Sequence, residues 1–510
     1  MTSTSTMSSS PNIDDLPGEL LEEVLIMSVP VRKEGFFSKF EKWRTNLRLV
    51  SCHWNRTILQ NAAFWNVIRI DTSLSCDKHD NKAYQRYLWK LEQSRIAAQR
   101  SATVSRKLYL WDPAEYTKEN EMQILPGIID IIHSISNWTS IHISSNRRLV
   151  RQIFPAEDAP SPTWPSLEAI FISTELDEQA PLDDQGSNMT SPPLLVMSPE
   201  RFPSLRIARL FLKQWSLKTC HLPWAQLTHL TLAVMQGPFS DNLRILEKCV
   251  SLDSLSITVK SPIGRPFTAS DSSSPLPFIA LSKLKRLDLF LNSSSDIIVS
   301  FLWRLVLPSL TTFVLKVGAM VYHRHRFTHA ILSLINWSGC TPSHLEIDLM
   351  LDTYIELEDE MDLATLLNTT PSLKTFRLGA AHIRGHFFDH LDDHSLPNLE
   401  SIDIFSNYDY EFLKRMGAET FLRWAMRWIQ SHGGSGPGGG DGERRKPTFR
   451  AMYYAERDGY EPEDFYPRVH SAVERLQEEG WDVSLKTSRR CFKHKHQKFR
   501  RAIMHHIITV

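Results

Sequence analysis

The sequence contains little cysteine and no long apolar run. Its six cysteines lie far apart and form no Cys-x-x-Cys pair, which argues against a disulfide framework or a zinc site and is typical of reduced intracellular thiols. No stretch approaches the about 18 consecutive apolar residues of a membrane-spanning helix, so we expect none. The first residues lack a basic start and an apolar core, so we expect no secretory signal and a location in the cytoplasm, the nucleus or both.

The chain has no excess of charge of either sign. Lys and Arg together number 58, as do Asp and Glu, in 510 residues. This balance argues against nucleic acid or an anionic membrane as the main partner. The 42% of hydrophobic residues is typical of globular proteins, and the length exceeds one ordinary compact core, so we expect several domains or a repeat array.

The sequence also lacks the common signatures of catalysis and of cofactor binding. It contains no Walker A motif, no Gly-x-Gly-x-x-Gly after a predicted strand, no Gly-x-Ser-x-Gly and no His-Glu-x-x-His. His325 and His329 are four residues apart on a predicted helix, but arginines lie beside His325 and no cysteine or carboxylate is near in the sequence. We therefore interpret them as a basic helix edge and expect a non-enzyme without metal or cofactor.

Three short amphipathic helices are predicted at 13–66, after a Ser/Thr-rich leader at 1–12 that we expect to be disordered. Asp14 or Asp15 can cap the first helix, and Pro17 suits its first turn. The second helix is expected near 38–51, the third begins near His53, and the alternation in VIRI (67–70) predicts a strand after them. Three such helices make a marginal core, so the unit either docks on a partner or caps the next domain.

Three stretches of this region, LPGELLEEVL, LRLVSCHW and FWNVIRI, resemble the F-box. The F-box pattern is Leu-Pro, an acidic residue, paired aliphatics, then Val-x-x-x-Trp, often followed by Leu-Trp. The matching residues are Leu16, Pro17, Glu19, Leu20, Leu21, Val24, Leu25, Leu47, Val50, Trp54, Phe64 and Trp65. The arrangement is similar to that of F-box proteins of mushroom-forming fungi, which often have an insertion after the first helix, here 29–45.

Two positions depart from that pattern. Cys52 replaces the basic residue usual two places before the tryptophan, and Ala62 replaces the proline often found before Leu-Trp. The resemblance implies docking on a Skp-family adaptor, which links F-box proteins to a cullin–RING ubiquitin ligase. The adaptor-binding residues that it implies are Leu16, Pro17, Leu20, Leu21, Val24, Leu25, Leu47, Val50 and Trp54.

A six-residue template, apolar-x-x-apolar-x-apolar, recurs ten times downstream, and helix-like segments separate the copies. The copies are WTSIHI (138–143), LEAIFI (167–172), LRIARL (205–210), LTHLTL (227–232), LDSLSI (252–257), LKRLDL (284–289), LTTFVL (310–315), HLEIDL (344–349), LKTFRL (373–378) and LESIDI (399–404). This pattern predicts a leucine-rich-repeat-like solenoid of strand–helix units over 67–430. The alternative is a doubly wound α/β domain, which does not need a repeated strand sequence.

Two segments near 174–201 and 260–277 interrupt the array. They are rich in proline together with acidic residues or serine, so we expect disordered excursions. After the array we expect a Gly-rich linker at 431–447, a final strand–helix–strand unit at 448–485 and a basic tail at 486–510. The tail could be an import signal, a nucleic-acid contact or a solvated terminus.

The expected fold is therefore α/β, with a short three-helix F-box-like module followed by an irregular leucine-rich-repeat solenoid. The expected function is that of a substrate-recognition subunit of a Skp–cullin–F-box type ubiquitin ligase. Its partners would be the Skp-family adaptor, a cullin through that adaptor, and a target protein that the sequence does not identify. The alternative is a non-catalytic leucine-rich-repeat scaffold whose N-terminal helices only cap the solenoid.

Overall fold

The computed structural model is a mixed α/β protein whose long strands pair in parallel. It divides into two compact units, residues 1–205 with 501–510, and residues 206–500. The residues that the structure describes are 17–27, 37–71, 81–111, 118–155, 163–174, 195–212, 220–234, 245–260, 278–292, 299, 301–317, 327–349, 357–380, 386–392, 394–406, 417–432, 447–454 and 467–488. No helix in those ranges has the length and apolar character needed to cross a membrane.

The first unit begins with the N-terminal helical module, which comprises the described residues between 17 and 66. Helix α1 is Gly18–Met27, α2 is Phe37–Arg48, α3 is Cys52–Gln60, and a 3-10 turn follows at Ala62–Trp65. The Leu21 N–H donates to the Pro17 carbonyl at 3.0 Å, so Pro17 lies directly before the first helical residue. These positions confirm the three predicted helices, while the predicted cap at Asp14 or Asp15 lies outside the described residues.

A four-stranded parallel sheet follows in this unit. Its strands are β1 (Val67–Asp71), β2 (Arg106–Trp111), β3 (Trp138–Ser144) and β4 (Ala169–Ser173), in that order. The helices between them are α4 (Asn81–Arg100), α5 (Lys118–His133) and α6 (Arg147–Ile153). One buried row crosses the sheet through Ile68, Leu108, Ile141 and Ile170.

The second unit contains ten long strands that pair in chain order, all in parallel. They are β5 (Ile207–Leu212), β6 (His229–Val234), β7 (Ser254–Lys260), β8 (Arg286–Asn292), β9 (Thr312–Val317), β10 (His344–Leu349), β11 (Thr375–Ala380), β12 (Ser401–Ser406), β13 (Thr448–Tyr454) and β14 (Asp482–Ser488). Its helices are α7 (Phe327–Ser338), α8 (Leu357–Asn368), α9 (His386–Asp389), α10 (Gly417–His432) and α11 (Pro467–Glu478). The short strands Ile279–Ala280 and Leu305–Val306 form a separate parallel pair.

The register of these strands explains the repeated template. The fourth template position in eight of these strands, together with Phe449 of β13 and Val483 of β14, forms one continuous buried row across the ten strands. This row is Ala208, Leu230, Leu255, Leu287, Phe313, Leu345, Phe376, Ile402, Phe449 and Val483. Helix α10 covers the same face, since the Trp424 and Trp428 rings contact Phe449 with centroids 6.1 and 5.7 Å away. Each template copy of the second unit therefore supplies one residue of this buried row, and all ten copies of the template overlap a strand, as predicted.

The alignment of the six-residue template that the sequence predicts for HLEIDL is wrong by two residues. Leu345 pairs with Phe313, the fourth residue of LTTFVL, so this copy begins at Pro342 and not at His344. Pro342 takes the place of the usual leucine, so no leucine marks the start. A shift of two residues also keeps every side chain on the same sheet face, which is why the alternation alone did not expose the error.

The structure differs from the sequence prediction at the excursion near 174–201. The side chains of Leu195, Val196 and Met197 are buried, and the Trp164 N–H donates to the Arg201 carbonyl at 3.1 Å. The end of this segment is therefore part of the core, because its apolar run outweighs the neighbouring prolines. The leader 1–12 and the segments 175–194, 261–277, 433–446 and 489–510 lie outside the described residues. At the C-terminal end, β13, α11 and β14 confirm the predicted strand–helix–strand order.

Candidate functional site

The apolar stripe of α1 is divided between two environments. The side chains of Leu21 and Leu25 are 0% and 1% exposed, whereas Leu20 and Val24 are 49% and 42% exposed. Each pair has the four-residue spacing that places side chains on one helix face. Helix α1 therefore uses one pair to hold the module together and presents the other to solvent.

A second exposed apolar site lies in the turn between α2 and α3. Leu49 and Val50 are exposed there, while Leu47 is half-buried and Trp54 is buried. The Ser51 hydroxyl accepts the Trp54 N–H at 3.2 Å and so caps α3, which fixes the turn. Of the nine residues implied by the resemblance, Pro17, Leu20, Val24 and Val50 are exposed, and Leu16 lies outside the described residues. The structure thus separates this set into surface residues and core residues.

The end of the module is fixed by Trp65. Its indole N–H donates to the Ile58 carbonyl at 2.8 Å, and its ring is buried. The guanidinium of Arg44 lies 4.2 Å from the ring centroid, and that of Arg100 lies 4.5 Å from it. Such cation–π contacts stabilise by about 0.5–1 kcal/mol each where they are partly solvated. Since Arg100 ends α4, Trp65 joins the helical module to the following strand–helix segment.

The face of the second unit's sheet opposite the buried row carries ionic side chains, and we call it the polar strand face. The Arg286 Nε lies 2.8 Å from Asp288 Oδ2, and the Lys316 Nζ lies 3.1 Å from Glu346 Oε1. The Arg450 Nη2 lies 3.3 Å from Asp482 Oδ2. Cations and anions thus occur together along the strands, so the face is charged but nearly compensated.

Two titratable groups on the polar strand face are affected chiefly by burial. Burial raises the pKa of Asp403, although Arg450 and Arg377 oppose the rise. Burial lowers the pKa of His344, although Glu346 opposes the decrease. The Arg377 guanidinium also lies 4.5 Å from the Phe405 ring centroid. The centre of this face is therefore partly dehydrated, which strengthens its electrostatic contacts.

In the first unit, the corresponding face carries stacked rings. The centroids of Tyr109 and His142 are 4.4 Å apart, and those of His142 and Phe171 are 5.5 Å apart. These residues are direct neighbours across β2, β3 and β4. Sequence reasoning missed this row because it followed only the apolar template positions, whereas the residues between them form the opposite face.

The structure corrects the interpretation of His329. Its Nδ1 lies 3.4 Å from Asp362 Oδ2, a carboxylate on the next helix, so a carboxylate partner is near after all. His325 lies outside the described residues. In the described part of the chain no group of three or more His, Cys, Asp or Glu side chains is placed to hold a metal ion.

No protein-family model matches this chain, and no curated protein matches it. The resemblance to the F-box therefore depends on the residues quoted for it and on the geometry of the module.

Proposed function

We propose that the protein is the substrate-recognition subunit of a Skp–cullin–F-box type ubiquitin ligase. The observation that carries this proposal is the exposure of Leu20 and Val24 on a helix whose Leu21 and Leu25 side chains are buried. Isolated aliphatic side chains are common on protein surfaces, but two at helical spacing, next to an exposed Pro17, suit a helix face that a partner covers.

In this proposal the helical module is an F-box, and Pro17, Leu20, Val24 and Val50 contact the Skp-family adaptor. Leu21, Leu25 and Trp54, which the resemblance also implies, act indirectly because they hold the helices in place. The departures at Cys52 and Ala62 lie beside the most restrictive positions of the F-box pattern. We therefore expect a weaker adaptor complex than the full pattern would provide.

The downstream strands would form a leucine-rich-repeat-like array whose polar strand face binds the target protein. The shared register of the eight template copies in the second unit supports this repeat organisation. The compensated ion pairs of the polar strand face suit a target surface of mixed charge better than a surface with charge of a single sign. The adaptor would hold the bound target near the ubiquitin-charged enzyme, so the transfer becomes effectively intramolecular.

Co-purification with a Skp-family adaptor and a cullin tests the proposal. We expect the wild-type chain to retain the adaptor, and the double variants Leu16→Ala/Pro17→Ala and Leu20→Ala/Val24→Ala to lose it. Trp89→Ala is a matched control, because Trp89 is also an exposed apolar residue of the first unit but lies on α4. Failure of the wild-type chain to bind any adaptor would exclude the ligase function.

A second candidate function is a non-catalytic interaction scaffold in which the module only caps the array. The contact of Arg100 with Trp65 favours it, because it ties the module to α4. This alternative predicts that no adaptor binds and that deletion of 13–66 destabilises the remaining chain. Under the ligase proposal the same deletion abolishes adaptor binding while target binding persists.

A further inference from the structure

Three large aromatic side chains of the second unit are exposed around one groove. Phe278, Trp303 and Trp337 are 60%, 45% and 71% exposed. The Phe278 and Trp337 rings are almost parallel, with an angle of 14° and centroids 6.1 Å apart. The groove has a volume of about 550 Å³, and its other lining residues are Leu302, Arg304, Leu305, His329, Ser333 and Leu334.

Three segments of the chain build this groove, two beside the paired short strands and one on α7. Phe278, Trp303 and Arg304 directly precede the paired short strands Ile279–Ala280 and Leu305–Val306. His329, Ser333 and Trp337 recur at every fourth residue of α7 and so share one helix face. A hydrogen bond holds the end of α7 next to the second short strand, because the Leu307 N–H donates to the Ser338 hydroxyl at 2.9 Å. Buried Leu302, Leu305 and Leu334 complete an apolar floor on a regular scaffold.

One lining residue, Arg304, is cationic, and its side chain has no partner in the described part of the chain. The Arg304 guanidinium forms no ion pair or hydrogen bond with any described residue, whereas its backbone carbonyl accepts the Ile279 N–H at 2.8 Å. The nearby carboxylate of Asp362 has its Oδ2 3.4 Å from His329 Nδ1 and forms no ion pair with Arg304. A ligand that places a carboxylate beside Arg304 would pair with the positive charge of this side chain.

We propose that this groove docks an extended, proline-containing peptide of a partner protein, with an acidic residue next to the proline. Proline-rich segments form a polyproline II helix without internal hydrogen bonds, and they dock in grooves lined by exposed aromatic rings. Phe278, Trp303 and Trp337 supply those rings, and Arg304 selects the acidic residue. None of these residues belongs to the proposed adaptor contact or to the polar strand face, so this site is additional to the proposed function.

A small-molecule site would have a different form. Such sites bury about 70–90% of the ligand surface, which needs walls that enclose it. Here the three aromatic side chains that line the groove are about half exposed or more. An open groove of this kind contacts one side of an extended chain, so the peptide is the better match.

Fluorescence anisotropy with the full chain tests the proposal. The probe is a fluorescein-labelled peptide that repeats Pro-Pro-Leu-Glu three times, compared with the same peptide carrying Lys for Glu or Ala for Pro. We expect saturable binding of the Pro/Glu peptide only, and a roughly 30-fold or greater loss of affinity in Trp337→Ala. Trp89→Ala, an equally exposed tryptophan of the first unit, should bind as the wild type does.

A charge reversal provides the second arm. Arg304→Glu should lose the Pro/Glu peptide and bind the Pro/Lys peptide instead, while its circular dichroism spectrum stays unchanged. Absence of saturable binding to the Pro/Glu peptide would overturn the proposal, as would equal affinity in the wild type and Trp337→Ala. A wild-type chain that dimerises in sedimentation, with the dimer lost in Trp337→Ala, would identify a second copy as the occupant and also overturn it.

Discussion

Lys316 and Glu346 form an ion pair across strands β9 and β10, with Nζ 3.1 Å from Oε1. The Arg377 Nη1 approaches the same oxygen from β11 at 3.5 Å. The Glu346 side chain is 11% exposed, and its Oε1 accepts no hydrogen bond, so the attraction is electrostatic. One carboxylate on β10 therefore attracts two cations from the strands on either side of it.

Glu346→Gln should lower the free energy of unfolding by about 1–3 kcal/mol, because it leaves Lys316 and Arg377 facing each other. Removal of one partner of a buried pair costs about 3–5 kcal/mol, but both cations here are partly solvated, which reduces the effect. Urea unfolding at pH 7 measures it. Glu400→Gln is the control, since Glu400 lies 2.8 Å from Lys374 in an exposed pair and should change stability by less than about 0.5 kcal/mol. Equal losses in the two variants would contradict this account of Glu346.

The two faces of α1 should respond differently to truncation. Leu21→Ala should destabilise the helical module by about 2–4 kcal/mol, because it opens a cavity at a fully buried site. Leu20→Ala should change stability by less than about 0.5 kcal/mol, because that side chain is half exposed. Hydrogen exchange of the α1 amides measures both effects.

The same pair of variants separates binding from folding. Leu20→Ala should weaken adaptor binding while the α1 amides keep their protection. Leu21→Ala should weaken binding only as far as the module unfolds. If Leu20→Ala leaves adaptor binding intact, the exposed face of α1 is not the contact.

How much of the fold could be predicted depended on where the chain repeats itself. The template copies identified strands β3 to β12 because each of these strands places apolar template residues in the core of its unit. Strand β2 was missed, although its alternation in RKLYLW is comparable, because it has no copy of the template and follows the unpredicted helix α4. The HLEIDL frame failed for a related reason, because Pro342 occupies the position of the marker leucine.

The surfaces were less accessible to sequence reasoning than the core. The contact between His329 and Asp362 joins two helices, and nothing in local spacing indicates it. The groove at Trp337 combines α7 with residues that precede two short strands, so its members are up to about 60 residues apart in the sequence. For α1, periodicity predicted the apolar stripe but not which half of it is buried, because that depends on where α3 packs.

Cysteine reactivity should distinguish the exposed thiol from the buried ones. Burial raises the pKa of Cys249 to about 12 and that of Cys340 to about 11, and Cys220 is buried as well. Only the thiolate reacts rapidly, so these three should be inert at pH 8. Cys52 is exposed and should react.

The measurement needs a chain in which Cys76 and Cys491, which lie outside the described residues, are replaced by serine. Ellman's reagent should then titrate one thiol in the folded chain and four in guanidinium chloride. Addition of the adaptor should slow the labelling of Cys52, which lies two residues from Val50. Rapid reaction of a second thiol in the folded chain would contradict the burial of the other three.

Asp403 should make stability depend on pH in the opposite sense to most paired carboxylates. It lies on β12 near Arg450 and Arg377 and also near Glu346 and Asp482, and burial raises its pKa. Its Oδ1 accepts no hydrogen bond, so the charged form is poorly solvated. Because the folded state binds this proton more tightly than the unfolded state, ionisation of Asp403 opposes folding.

Asp403→Asn should therefore raise the free energy of unfolding at pH 7, and the gain should vanish as the pH falls below the ordinary aspartate pKa of about 4. As the pH rises, the gain in stability should develop between the ordinary aspartate pKa and the higher pKa of Asp403 in the folded state. Over this pH range Asp403 is ionised in the unfolded chain but still protonated in the folded chain. Urea unfolding at a series of pH values measures it. The control is Asp482→Asn, which removes the negative charge that pairs with Arg450 at 3.3 Å and so should not stabilise the fold. A loss of stability at pH 7 in Asp403→Asn would mean that its attraction to the two arginines outweighs the cost of burial.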